Sequence, residues 1–333
     1  MKFGQLKRRE FIRLIGGAAA WPPAARGEHT GAMRRLGVLL STSGTDPEGQ
    51  ARIAALRLGL LELGWIDGRN ISIDSRWSAA DATQTRAQVA QMVASKPDVI
   101  VASPSSVLAA VQRETRSIPI VFAQVVDPVG AGFVASLAHP GGNITGFAGF
   151  EFAIGAKWLQ LLKEIAPSVN RVAAVYDPVT PAATGFLPLI DAAGRSAGVD
   201  VFIHGVRDAA EIERVLTAFA AQPNGGLIAI PSRLIANSRE FVISLAHRLH
   251  LPDVSAFRYY SAAGGLASYG VDNIGLYRRA ASYVDRILKG EKPSNLPVQM
   301  PNRYDLIINL KTAKALGLEV PATLLARADE VIE

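Results

Sequence analysis

Phe122-Ala123-Gln124-Val125-Val126-Asp127-Pro128-Val129-Gly130, followed after a short interval by Pro140-Gly141-Gly142-Asn143-Ile144-Thr145-Gly146, sits at the turning point of the chain. An apolar run of strand length, 118–122, ends in a polar turn. Asp127-Pro128 is placed to open a short helix with its carboxylate at the positive end of the dipole. The Pro-Gly-Gly-Asn turn then feeds a strand over 144–147. Upstream, a strand over 36–40 stops at Ser41-Thr42-Ser43-Gly44. A helix over 51–63 follows, with Ile53, Leu56, Leu60 and Leu63 on one face and Gly64 closing it. Strand 71–77, helix 83–94, strand 99–102 and helix 107–116 complete that half. Downstream the rhythm restarts: helix 156–165, strand 172–176, helix 186–197, strand 199–204, helix 209–221, strand 226–230, helix 234–249 and strand 253–257. Alternation of this kind implies parallel sheets covered on both faces.

The expected architecture is therefore α/β, with a first lobe over 35–145 and a second over 146–270, joined through the quoted stretch. A short strand over 264–269 closes the second lobe. Residues 271–333 hold one long amphipathic helix, 274–289, a strand over 306–309 and a short helix over 311–316. That is too little for a third domain, and the segment is expected to cross back between the lobes.

Residues 1–31 read as a separate unit. Lys7-Arg8-Arg9-Glu10-Phe11-Ile12-Arg13 followed by an uncharged, Ala/Gly-rich run, 14–25, resembles a Tat export signal. The apolar run is shorter than the roughly 20 residues a bilayer requires, and Pro22-Pro23 interrupts it. Small residues at Ala18-Ala19-Ala20 and Pro23-Ala24-Ala25 offer cleavage sites. The chain has no cysteine, so neither lipid attachment at a cysteine nor a disulfide framework is available. A soluble periplasmic product is expected.

Charge supports the same division. Residues 1–31 carry six Lys/Arg against two Glu, so most of the formal +6 belongs to this segment and only +2 to the rest. No dense basic stripe remains, which removes the electrostatic argument for nucleic-acid binding. Hydrophobic residues make up 49% of the chain, enough to bury two sheet cores.

In open α/β lobes, ligands bind beyond the carboxyl ends of the strands. Those ends carry Ser41 and Thr42, Ser103, Ser105 and Ser106, and Gln124 and Asp127 in the first lobe. In the second they carry Tyr176 and Asp177, Ser232, and Ser255. Hydroxyls and helix-start amides suit a carboxylate, although the same residue types also cap helices. Catalytic signatures are missing. Neither G-x-x-x-x-G-K nor G-x-G-x-x-G occurs, and Gly265-Leu266-Ala267-Ser268-Tyr269-Gly270 has Leu266 where a nucleophile elbow needs glycine. The five histidines include only one close pair, His247 and His250, without a carboxylate pattern to complete a metal site. Neither a cofactor nor a metal is expected. Phe147, Phe150 and Trp158 near the crossing could stack on a ligand or fill the core.

The Asp127-Pro128-Val129 and Pro140-Gly141-Gly142-Asn143-Ile144-Thr145-Gly146 blocks resemble the ABC-transporter substrate-binding family typified by the tryptophan/tyrosine-binding lipoproteins of Gram-positive uptake systems. Gly264-Gly265-Leu266-Ala267-Ser268-Tyr269-Gly270 strengthens the likeness, as do Tyr277-Arg278-Arg279-Ala280-Ala281 and Arg286-Ile287-Leu288-Lys289-Gly290. Leu296-Pro297-Val298-Gln299 and Ile308-Asn309-Leu310-Lys311-Thr312-Ala313-Lys314-Ala315-Leu316-Gly317 extend it towards the C-terminus. The resemblance implies two Rossmann-like lobes with a multi-strand hinge, the type 1 periplasmic-binding-protein fold. It also implies a small ligand gripped in the cleft and delivered to an ABC permease in the inner membrane; a monomer is expected. By the same analogy the strand-end residues named above form the cleft walls, with Asp127 and Asp177 as candidates for a ligand amine. An exported α/β hydrolase and a ligand-sensing receptor subunit are the alternatives.

Overall fold

The computed structural model describes residues 32–333 apart from 80, 181 and 182, and the expected leader lies outside the described residues. The first sheet contains β1 (Arg34–Leu40), β2 (Ile71–Trp77), β3 (Val99–Ser103), β4 (Ile120–Val125) and β5 (Ile144–Ala148). They lie in the order β2-β1-β3-β4-β5, every pair parallel. The crossovers are α1 (Pro47–Glu62), α2 (Ala82–Ala94) and α3 (Ser105–Glu114). The helix expected after Asp127-Pro128 is instead a run of turns. Asp127 at φ 45° and Gly132 at φ 72° swing the chain left-handed, so propagation stops after one turn.

The second sheet holds β6 (Arg171–Tyr176), β7 (Asp200–Gly205), β8 (Gly225–Ala229), β9 (Asp253–Ser255), β10 (Ala267–Gly270), β11 (Asp305–Asn309) and β12 (Glu330–Ile332). Their order is β12-β11-β10-β9-β8-β6-β7, parallel except where β10 meets β11. The helices of this lobe are α4 (Ile154–Ile165), α5 (Ala183–Ala197), α6 (Ala209–Ala220), α7 (Arg233–Asn237), α8 (Arg239–Arg248) and α9 (Arg258–Ala262). The single helix expected over 234–249 is broken at Ser238, whose ψ of 16° leaves the helical range. After β10 come α10 (Asn273–Leu288), α11 (Leu310–Ala315) and α12 (Ala322–Leu325).

Each sheet buries an apolar cluster on both faces. In the first lobe, Leu56 and Leu60 of α1 pack with Leu276, Tyr277, Ala280 and Val284 of α10 on one side, and Met92, Leu108 and Phe122 fill the other. Helix α10 therefore covers the first sheet, although the chain reaches it from the second. The two helices meet closely at Gly59, where a Cβ would lie 2.5 Å from the Arg278 carbonyl oxygen and 2.8 Å from Ala281 Cβ. Gly146 has a similar role within the sheet. At φ 154° its missing Cβ would fall 2.1 Å from the Phe122 carbonyl oxygen, which explains glycine at that point of the Asn-Ile-Thr-Gly stretch.

Three segments connect the lobes: 149–153 after β5, 271–272 after β10, and the stretch between Gln299 and β11. The first and third run side by side at their start. Gln299 N–H donates to the Gly146 carbonyl at 2.9 Å, and Ala148 N–H donates to the Gln299 carbonyl at 2.8 Å. Since β5 spans Ile144–Ala148, the expected division after residue 145 falls inside a strand. Residues 271–333 divide between the lobes, with α10 on the first and β11 and β12 on the second.

Candidate functional site

The carboxyl ends of both sheets face one cleft, and its most unusual occupant is a buried arginine. Asp46 caps α1 by accepting from Gly49 N–H at 2.8 Å, Pro47 starts the helix and Glu48 follows in its first turn. One turn later Arg52 is only 8% exposed. Its Nε donates to Glu48 Oε1 at 3.2 Å and its Nη1 to Gln124 Oε1 at 3.1 Å, while Nη2 has no hydrogen-bond partner among the described residues. The guanidinium also lies 5.9 Å from the centroid of the Tyr277 ring. Burial works against its charge, but Tyr277 and the Glu48 carboxylate outweigh that and hold its pKa above the usual value. The cleft thus contains a permanent cation with one edge open.

Tyr277 and Ser103 lie by Arg52, and Thr42 lies against Gly49 in the first turn of the helix that carries Arg52. Thr42 Oγ1, Ser103 Oγ and Tyr277 Oη are buried and form no hydrogen bond of ordinary geometry among the described residues, although Ser103 and Arg52 both lie within reach of the Tyr277 hydroxyl. Burial raises the Tyr277 phenol, with Arg52 and Ser103 opposing it, so the three groups are near neighbours. A buried unpaired polar group costs about 1–3 kcal/mol. Several such groups beside one cation would be a poor structural device, and they match a site that a polar ligand completes.

Other sequence-predicted residues are engaged elsewhere. Ser105 Oγ accepts from Val126 N–H at 3.3 Å, and Ser106 is exposed. Asp127 is exposed, and its Oδ1 accepts from Gly130 N–H at 2.9 Å, which makes it a turn cap. Asp177 is buried and accepts from Val179 N–H at 3.0 Å and from Thr180 Oγ1 at 3.3 Å. Ser232 caps α7 through Ile235 N–H, and Ser255 donates to the Ala229 carbonyl at 2.9 Å. Ser41 and Tyr176 are half-buried at their strand ends. Gln124, at φ 63°, does reach the centre, because the left-handed turn aims its amide at Arg52. Phe147, Phe150 and Trp158 are buried; Trp158 Nε1 donates to the Tyr269 carbonyl at 2.7 Å, and Phe150 and Trp158 belong to the second-lobe core.

Arg52, Asn273 and Tyr277 were not singled out from the sequence. Arg52 did carry a signal. It stands four and eight residues before Leu56 and Leu60, so it continues the buried stripe of α1 as a charge. The second lobe approaches this end of α1 through Tyr259 and Arg239. Burial raises the Tyr259 phenol, and Arg52 lies near enough to oppose that shift. Arg239 Nη1 sits 3.6 Å from Asp46 Oδ2, and its guanidinium lies 5.8 Å from the Tyr259 ring centroid. Among the described residues no cluster of His, Asp and Glu could hold a metal ion, and no helix is long and apolar enough to cross a membrane.

The family model of ABC transporter substrate binding proteins matches residues 46–332. The chain belongs to this family. It is 26% identical over 261 residues to the tyrosine-binding protein of Clostridioides difficile, a match spanning 78% of this chain and 74% of that one. A conserved domain protein from Vibrio cholerae superposes with a TM-score of 0.83 at 29% identity, covering 90% of this chain and 99% of its own. The ABC domain from Streptococcus pneumonia in complex with L-Trp gives 0.84 at 26% identity, covering 90% and 100%. A ligand-free, open substrate binding protein from Clostridium difficile gives 0.70 at the same identity.

Proposed function

We propose that this substrate-binding protein is the periplasmic component of an ABC uptake system, working as a monomer that delivers a small carboxylate-bearing ligand, an amino acid or close relative, to an inner-membrane permease. The carrying observation is Arg52: a buried guanidinium with an open edge, beside unpaired hydroxyls, is built to take a carboxylate. The relatives whose names or bound ligands are L-Trp and tyrosine support the amino-acid class. A Tat-like leader together with the lack of any cysteine supports a protein free in the periplasm rather than lipid-tethered. Binding, not catalysis, is the reading that uses all of these features.

A thermal-shift panel of L-amino acids, their amides and neutral polyols tests it, because a ligand that prefers the native state raises the midpoint. Stabilisation by an amino acid but not by its amide is expected. Stabilisation by polyols alone would replace the carboxylate reading with a neutral ligand.

A further inference from the structure

A contact beside the second crossover bears on how Arg52 is held. Gln124 accepts from Arg52 Nη1 through Oε1, and its Nε2 donates to Asn273 Oδ1 at 2.8 Å. Asn273 is the first residue of α10 and is 6% exposed, although a helix start usually faces solvent. The preceding residue, Asp272, caps the helix by accepting from Gly275 N–H at 2.9 Å, so Asn273 is not needed as the cap. The helix is fixed to the first lobe through Leu276 and Tyr277, whereas Val271, two residues before Asn273, is buried in the core of the second lobe. Asn273 therefore stands where one lobe's packing gives way to the other's.

We propose that Asn273 is a positioning residue: through Gln124 it fixes the orientation of the Arg52 guanidinium and ties the ligand anchor to the crossover at 271–272. Gln124 needs this help. Its left-handed backbone is set by the turn, but its amide is free to flip, and a flipped amide would point a second donor at Arg52. The Asn273 oxygen accepts from Nε2 and so selects the orientation in which Oε1 faces Arg52. The ligand-binding part of this inference rests on the function proposed above; the positioning part does not.

The test uses the exported part of the chain with Asn273→Leu, which removes the acceptor, and Asn273→Asp, which retains it. Nitrogen-15 NMR of arginine side chains reads the rotation of the Arg52 guanidinium without any ligand, with Arg52→Lys assigning the signal. Separate, slowly exchanging Nη signals are expected in the wild type and in Asn273→Asp, and averaged signals in Asn273→Leu. Affinity for L-tyrosine and L-tryptophan should fall about tenfold in Asn273→Leu, as the loss of the Gln124–Asn273 amide bond frees the orientation of Arg52, and return to within about threefold in Asn273→Asp. Unchanged Arg52 signals in Asn273→Leu, or no recovery in Asn273→Asp, would overturn the proposal. If Asn273→Leu melts earlier, Asn273→Ala carries the same comparison. A wild type that binds neither amino acid yet shows locked Arg52 signals that Asn273→Leu releases would refute the amino-acid reading and uphold the positioning one.

Discussion

The two walls of the cleft are made of the same residue types, but those near the start of α1 and Arg52 are used differently from those of the second lobe. On the second-lobe wall, Asp177, Ser232 and Ser255 are consumed by nearby backbone or hydroxyl groups. On the first-lobe wall, the buried hydroxyls of Thr42, Ser103 and Tyr277 form no hydrogen bond of ordinary geometry among the described residues, and Ser103 and Tyr277 lie beside a charged Arg52. Satisfied polar groups stabilise a lobe; unsatisfied ones weaken it unless a ligand arrives. On the function proposed above, the contrast makes the first lobe the anchor and gives the second lobe, with Tyr259 and Arg239, the role of cover.

The largest effect expected is at the anchor. Arg52→Met should cost about 3 kcal/mol of binding, two orders of magnitude, since truncating a buried charged partner typically costs 2–5 kcal/mol. Calorimetric titration against the best ligand of the panel measures it, and the melting midpoint should change little. The second lobe should respond in stability instead. Burial raises the Asp253 carboxyl from 3.8 to about 6, against the opposing contacts of Tyr260, Leu266 and His247. The folded state then holds this proton more tightly than the unfolded chain. Its contribution is complete below 3.8 and is lost as pH rises through about 6, on the order of 3 kcal/mol. Denaturant melts across that range should show stability falling as pH rises, and Asp253→Asn should flatten the slope without altering affinity.

Smaller changes sharpen the same contrast. Ser103→Ala and Thr42→Val should each weaken binding about tenfold, as loss of a hydrogen bond to a charged ligand does. Ser255→Ala should leave affinity within about twofold, and Ser232→Ala should lower stability by about 1 kcal/mol as a lost helix cap. If the second-lobe serines mattered as much for affinity as the first-lobe hydroxyls, the division of labour would fail. The smallest effect concerns Asp46 and Arg239. Their 3.6 Å pair is partly exposed, so Arg239→Gln should weaken binding only about two- to threefold, and high salt should erase the difference.

The fold was legible because it rests on periodicity and punctuation. Strand 71–77 is found where expected, and α2, α6 and α10 agree with their expected bounds to within a residue or two. The failures are local. Asp127-Pro128 carries a helix-start signal, but left-handed residues on either side of the turn cancel it. Ser238 breaks a helix without any glycine or proline to announce it. At the site, strand-end position identified Thr42, Ser103 and Gln124, but it could not separate them from Ser232 or Asp177, since a capping oxygen and a waiting one have the same sequence signature. Tyr277 and Asn273 were hidden for a topological reason. They lie in the helix that follows the second crossover, and only the return of α10 to the first sheet brings them to Arg52.

The most direct measurement compares the L-amino acid that stabilises the protein best with its own amide, by calorimetric titration of the wild type and of Arg52→Met. The amide lacks only the carboxylate charge. Anchoring by the first lobe predicts a strong wild-type preference for the acid that disappears in Arg52→Met. A preference that survives intact in Arg52→Met would place the carboxylate elsewhere and contradict the account.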